Sequence, residues 1–99
     1  MEKVLVKLDY HLAKRTSAKT WWTLEDGTEP ENLVYTTGDY SKTHWYRYYL
    51  LPSSITLIRH RISNRGNYSR EYVKATDIIA SINELPPEIQ KRYFDINKR

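Results

Sequence analysis

The stretch SITLIRHRISNRGNYSREYVKA, residues 54–75, decides the fold because two strand-like runs flank a turn signal within it. Its alternating and β-branched residues predict one strand over residues 54–63 and a return strand over residues 68–75. The sequence Asn-Arg-Gly-Asn between them is typical of a tight hairpin turn. We therefore expect an antiparallel hairpin in this part of the chain.

The register of this hairpin assigns its side chains to faces. If Arg65 and Gly66 form a two-residue turn, Ile58 faces Val73 and His60 faces Glu71 on a core face. The opposite face then holds three further cross-strand pairs, namely Arg59 with Tyr72, Arg61 with Arg70, and Leu57 with Lys74. The like-charge pair is destabilising unless an anion, such as a phosphate or the acidic loop, lies over it. The interpretation predicts one core face and one basic, aromatic face.

A strand over residues 43–51 precedes the hairpin and ends at Pro52. Because proline is unsuited to the favoured two-residue turns, a four-residue loop over residues 51–54 is expected. This loop pairs Tyr46 with Arg59 and His44 with Arg61. The basic face thereby gains Lys42, His44, Tyr46 and Tyr48, while Trp45, Arg47, Tyr49 and Leu51 fall on the core side. Because Arg47 is charged, its place on the core side requires that its guanidinium reaches the sheet edge or that the strands pair in a different register.

The rest of the chain predicts further strands, a loop and two helices. Alternation predicts a strand over residues 4–12, with Leu5 as the exception, and the run TWWTL predicts another over residues 19–24. Residues 27–41 predict an acidic loop with a short extended piece at 33–35. Helical spacing predicts one helix that is capped by Thr76 or Asp77 and stopped by Pro86, and another with Pro87 in its first turn. The expected fold is α+β: an antiparallel sheet of about four to five strands followed by two short C-terminal helices.

Length and composition limit the classes of protein to consider. The 99 residues suit a single domain over 1–99, and no apolar run approaches the roughly 18 residues of a membrane span. The charged N-terminal residues do not resemble a signal peptide, and the chain has no cysteine. We expect a cytoplasmic protein with no membrane partner, no disulfide, no cofactor and no metal site.

Charge is distributed unevenly along the chain. Residues 21–40 hold five acidic residues and no basic one, whereas residues 41–75 hold seven basic residues against Glu71 alone. Positive charge beside exposed aromatic rings is typical of surfaces that bind single-stranded nucleic acid. We therefore predict a small non-catalytic protein that binds single-stranded nucleic acid or RNA. The predicted binding residues are Lys42, His44, Tyr46, Tyr48, Arg59, Arg61, Arg65, Tyr68, Arg70, Tyr72 and Lys74.

Other interpretations use the same residues. A long basic and aromatic surface also serves as an ordinary solvated sheet face. Tyr, Trp and Arg are enriched in protein interfaces, so an adaptor, inhibitor or homodimer subunit is the alternative function. Adjacent Trp21 and Trp22 point to opposite faces of a strand, which leaves at most one of them in a given core. The acidic segment predicts a solvated loop, or one that lies on the basic face.

Catalysis has weak support in the sequence. His44 beside Arg61 resembles a phosphodiesterase pair, but no second acid or base is positioned with it. His60 opposite Glu71 resembles a structural pair rather than an oriented base. We expect no catalytic residues, with an RNase-like activity as the lesser alternative.

Overall fold

The computed structural model describes residues 2–37 and 43–97. Six strands form one antiparallel sheet in the order β3-β4-β1-β2-β5-β6, which confirms an antiparallel α+β fold but not the strand number of four to five. The strands are β1 (Lys3–Ala13), β2 (Ala18–Leu24), β3 (Leu33–Thr36), β4 (His44–Pro52), β5 (Thr56–Ile62) and β6 (Tyr68–Lys74). Two 3₁₀ turns, Ala75–Asp77 and Ile82–Glu84, lead to the helix α1 (Pro87–Asn97).

Strand β1 joins the two halves of the sheet. It pairs with β4 over nine residues, from Lys3 opposite Pro52 to His11 opposite His44. It pairs with β2 only at its end, from His11 opposite Thr20 to Ala13 opposite Ala18. The strands β1 and β2 therefore diverge, and they leave part of the β1 backbone without a strand partner on that side.

The segment after β6 fills this open edge of β1. The Lys7 amide donates to the Ile78 carbonyl at 3.2 Å, the Ala80 amide donates to the Leu5 carbonyl at 2.8 Å, and Val6 and Ile79 form an isolated bridge. These contacts require an extended chain, so the predicted helix starting at residue 77 is wrong. The unpaired backbone of β1 supplies hydrogen bonds that override the local helical spacing. The second predicted helix, after Pro86, is confirmed as α1.

The hairpin turn between β5 and β6 is one residue longer than predicted. The Gly66 amide donates to the Ser63 carbonyl at 2.9 Å, and Gly66 has φ +84°. A turn followed by a left-handed glycine is the usual three-residue hairpin loop. Consequently Ile58 lies opposite Tyr72 and His60 lies opposite Arg70, and the predicted register is wrong by one residue.

Two hydrophobic clusters hold the sheet together. Alternate residues of β1 and β4 pack with Trp22, Leu57 and Ala75 in the main core. Leu5 and Tyr48, on the opposite face of β1 and β4, form a second cluster with Leu85 and with residues of α1. Leu5 thus breaks the alternation in β1 because both faces of this strand are covered.

Strand β4 does not pair with β5, contrary to the prediction, since β1 and β2 lie between them. The longer alternating strand β1 takes β4 as its partner instead. Trp45, Tyr49 and Leu51 nevertheless lie on the face that packs in the main core, as predicted. Arg47 shares this face, and its guanidinium carbon lies 4.6 Å from the Tyr10 ring centroid, which gives the charge a favourable partner. No helix in residues 2–37 and 43–97 is both long and apolar enough to cross a membrane.

Candidate functional site

One face of β2, β5 and β6 combines exposed rings with positive charge. Strand register places Trp21, His60 and Ile58 on this face, together with alternate residues of β6. The other face of the same strands carries Trp22, Leu57 and Val73, which pack in or against the main core. We call the first surface the basic aromatic face and define it by Lys19, Trp21, His60, Tyr68, Arg70, Tyr72 and Lys74.

Three rings form a stack across this face. The ring centroids of Trp21 and His60 lie 4.9 Å apart with planes 10° from parallel, and those of His60 and Tyr68 lie 5.8 Å apart at 19°. His60 Nε2 lies 2.7 Å from Thr23 Oγ1, and His60 Nδ1 lies 2.6 Å from the Tyr68 hydroxyl. Both ring nitrogens therefore have partners, which fixes the orientation of the stack.

Burial and the nearby Arg70 lower the pKa of His60 below its ordinary value. The neutral ring therefore predominates at pH 7, and in that form one nitrogen donates a hydrogen bond and the other accepts one. The positive charge of the face comes from Lys19, Arg70 and Lys74.

These three basic residues have no acidic partner in the part of the chain whose side chains the structure describes. Strands β2, β5 and β6 contain one carboxylate, Glu71, and register places it on the opposite face. Within residues 2–37 and 43–93, none of the three cations forms an ion pair. Lys19 Nζ lies 4.8 Å from the Trp21 ring centroid. The guanidinium carbon of Arg70 lies 5.9 Å from the Tyr72 ring centroid. Lys19 and Arg70 are held beside aromatic rings, and all three cations are available to an anion.

The tyrosines of β6 are the most accessible rings of the face. Tyr68 and Tyr72 are 52% and 56% exposed, whereas Trp21 is half-buried. Trp22, its neighbour in sequence, is buried in the main core and donates its indole N–H to the Asp9 carbonyl at 2.8 Å. The prediction that the two tryptophans point to opposite faces is confirmed.

The structure brings together four of the predicted binding residues, and all four lie on β6: Tyr68, Arg70, Tyr72 and Lys74. Arg59 and Arg61 lie on the opposite face, so the predicted union of these arginines with the β6 residues is wrong. The longer turn is the cause, because a shift of one residue moves all side chains of one strand to the other face. Arg59 forms an ion pair with Glu71, and a guanidinium nitrogen of Arg59 lies 4.0 Å from Asp9 Oδ1. Arg61 is exposed.

The remaining predicted residues lie elsewhere. His44, Tyr46 and Tyr48 belong to the β4 face that the C-terminal segment covers in part. Tyr48 is buried and its hydroxyl donates to Glu84 at 3.2 Å, and Lys7 Nζ lies 4.4 Å from the Tyr46 ring centroid. Arg65 is exposed in the hairpin loop. Lys42 lies outside the described residues.

His44 does not face Arg61, so that part of the phosphodiesterase interpretation is wrong. It lies opposite His11 on β1, with ring centroids 6.2 Å apart, and its other ring neighbour is Tyr46. In the part of the chain that the structure describes, no group of three or more His, Asp or Glu side chains is arranged to hold a metal ion.

Lys19, Trp21 and His60 were not among the predicted binding residues. The alternation of Lys19 and Trp21 with the core residue Trp22 indicates their shared face. The glycine at the third loop position, Gly66, indicates the three-residue turn that places His60 beside Tyr68. No family model, curated protein or solved structure matches this chain.

Proposed function

We propose that this protein is a non-catalytic nucleic-acid-binding protein that binds single-stranded nucleic acid or RNA on the basic aromatic face. One observation carries the proposal: two tyrosines that are more than half exposed share a face with three cations that lack an acidic partner within residues 2–37 and 43–93. Bases would stack on Tyr68 and Tyr72, and phosphates would contact Lys19, Arg70 and Lys74. Exposed rings favour unpaired bases, since an intact duplex keeps its bases stacked on one another.

The stacking part of the proposal predicts a specific effect of Tyr72. Tyr72→Ala should weaken binding of a labelled oligouridylate by about 1–3 kcal/mol, the usual contribution of one base–aromatic stack. Folding stability should change little because the ring is exposed. Fluorescence anisotropy measures the affinity, and a thermal melt verifies the fold. Leu33→Ala is the matched control, because Leu33 is 52% exposed on the other edge strand, β3.

The phosphate part predicts the dependence of affinity on salt. The logarithm of the binding constant should fall linearly with the logarithm of salt concentration, by about 0.7 per phosphate neutralised on a single strand. Arg70→Ala should reduce this slope by roughly one contact, whereas Arg92→Ala, an equal charge change on α1, should leave it unchanged. Binding that does not depend on salt, or no binding at about 0.1 mM oligonucleotide in low salt, would refute the proposed function.

One observation favours the alternative of a protein-interaction module. Strand β6 is an edge of the sheet over its seven residues, and an exposed edge with Tyr68 and Tyr72 suits pairing with another chain. Light scattering of the purified protein at low and high salt tests self-association. A dimer that persists without nucleic acid and disappears on Tyr72→Pro would favour this alternative.

A further inference from the structure

A cleft lies at the end of the second half of the sheet, near the β5–β6 turn. Its volume is about 410 Å³, within the range of about 300–1,000 Å³ that small-molecule sites occupy. The cleft adjoins the basic aromatic face at Lys19 and Tyr68, but most of its polar lining comes from other positions. The lining residues that bear hydrogen-bond donors are His11, Lys19, Thr20, Arg61, Ser63, Asn67, Tyr68 and Ser69.

The chemistry of the lining favours an anion. Arg61 lies opposite Thr20 and Ser69, and Thr20 lies opposite His11, so these four lining residues share one face of the sheet. Among the residues that the structure describes, no Asp or Glu belongs to the lining. The Arg61 guanidinium offers a planar set of N–H donors that matches the oxygens of a phosphate. Lys19, Ile62 and Tyr68 also border the cleft, but register places their side chains on the basic aromatic face. Because the cleft has room beyond a phosphate, it suits a phosphate monoester better than an isolated ion.

Comparison with Arg59 shows that the Arg61 guanidinium is available to bind an anionic ligand. Both residues lie on β5 and share a face, yet Arg59 is held by Glu71 and Asp9. Arg61 lies opposite Thr20 on β2 and Ser69 on β6, which are neutral. Among the ion pairs of residues 2–37 and 43–93, none involves Arg61. Its charge therefore has no partner within the described chain, and it borders a cleft that a ligand can enter.

We propose that this cleft binds a phosphate monoester, with Arg61 as the principal phosphate ligand and His11, Thr20 and Ser69 beside it. The proposal goes beyond the proposed function, because a phosphate monoester would occupy the cleft whether or not a longer strand binds the basic aromatic face. The phosphate would displace water from Arg61, and the organic group of the ester would occupy the rest of the cleft.

The test uses the full chain and three probes. Adenosine 5′-monophosphate, inorganic phosphate and adenosine are titrated at constant ionic strength while amide and side-chain NMR shifts of Arg61, Ser69 and His11 are followed. Saturable shifts with the monophosphate, and an affinity at least tenfold higher than that of adenosine, are expected. Equal affinities for inorganic phosphate and the monophosphate would support the site with free phosphate as a sufficient ligand. No saturable shift with either phosphate, or adenosine binding as tightly as the monophosphate, would overturn the proposal.

A pair of variants distinguishes phosphate binding in the cleft from attraction by the net charge of the protein. Arg61→Ala should weaken monophosphate binding by about tenfold or more, as expected for loss of a charge-assisted hydrogen bond. Arg92→Ala removes the same charge from α1 and should change the affinity less than twofold. Equal effects of the two variants would contradict the proposal. Tyr72→Ala weakens oligonucleotide binding under the proposed function but should leave monophosphate binding unchanged. Failure of one proposal can therefore be distinguished from failure of the other.

Discussion

Arg59 and Arg61 are two residues apart and share a face of β5, yet their surroundings differ. Arg59 lies between Asp9 and Glu71 and stacks near Trp22, with its guanidinium carbon 5.7 Å from that ring centroid. Arg61 is exposed and borders the cleft. Arg59 therefore contributes to the structure, and Arg61 is free to contact a ligand. Residue type and alternation alone treat the two arginines as equivalent.

His60 makes stability sensitive to pH. Because burial and Arg70 lower its pKa in the folded protein, the unfolded chain binds more protons as the pH falls below about 6.5. The His60 contribution to stability is complete above that pH and decreases as the pH falls toward the folded pKa. Thermal melts between pH 7.5 and 5 should show a falling melting temperature, and part of this loss should disappear in His60→Gln.

NMR titration of His60 provides the control for this pH dependence. Its ring should titrate below pH 6.5, and Arg70→Ala should raise that pKa by removing a like charge. A His60 pKa above 6.5 in the folded protein would contradict the assignment of a neutral ring at the centre of the stack.

At the scale of elements, Glu84 anchors the C-terminal segment to the sheet. Its carboxylate accepts from Lys7 Nζ at 2.9 Å, from the Tyr48 hydroxyl at 3.2 Å and from the Ser81 amide at 3.0 Å. Ser81 and Glu84 thereby complete a capping box at the second 3₁₀ turn. The same carboxylate joins β1, β4 and the turn that precedes α1.

Loss of this anchor should destabilise the protein. Glu84→Ala should lower the free energy of unfolding by about 1–2 kcal/mol, since it removes a cap and a partly exposed ion pair. Urea denaturation measures the change, and limited proteolysis should show faster cleavage before α1. Glu88→Ala, on the exposed first turn of α1, should have less than half this effect. Equal effects would indicate that net charge, rather than the three contacts of Glu84, determines stability.

The lowered pKa of Glu84, caused first by its hydrogen bond to Lys7, gives this anchor a second signature. A carboxyl with a lowered folded pKa stabilises the protein above its unfolded pKa and loses that contribution as the pH falls below it. The stability difference between wild type and Glu84→Ala should therefore shrink below about pH 4.5.

At the scale of the whole molecule, one core connects the two halves of the sheet. Leu8 is fully buried in β1, where β2 has diverged, and it belongs to the cluster that contains Trp22 and Leu57. Leu8→Ala should lower the free energy of unfolding by about 2–5 kcal/mol because a buried cavity replaces the side chain. Leu12→Ala, near the exposed end of the same strand, should lower it by less than about 1 kcal/mol. Urea denaturation measures the free energy of unfolding of both variants. Similar decreases in the two would mean that the main core does not connect the two halves of the sheet.

Several strands of the fold could be predicted because their signals are local. Alternation in residues 4–12, the TWWTL run and the turn around Gly66 each correspond to observed elements, and so does the helix after Pro86. Residues 77–85 could not be predicted correctly, since their helical spacing competes with the unpaired edge of β1. The third strand, Leu33–Thr36, was expected only as a short extended piece of a loop.

The sequence by itself determined most strands of the sheet and which residues within one strand share a side, because both depend on the geometry of neighbouring residues. Only the tertiary structure decided which strands are neighbours and in which register, because those depend on contacts between distant residues and on the length of a turn. One additional turn residue placed the β6 tyrosines beside His60 and Trp21, and left Arg61 on the other face of the sheet, beside a cleft.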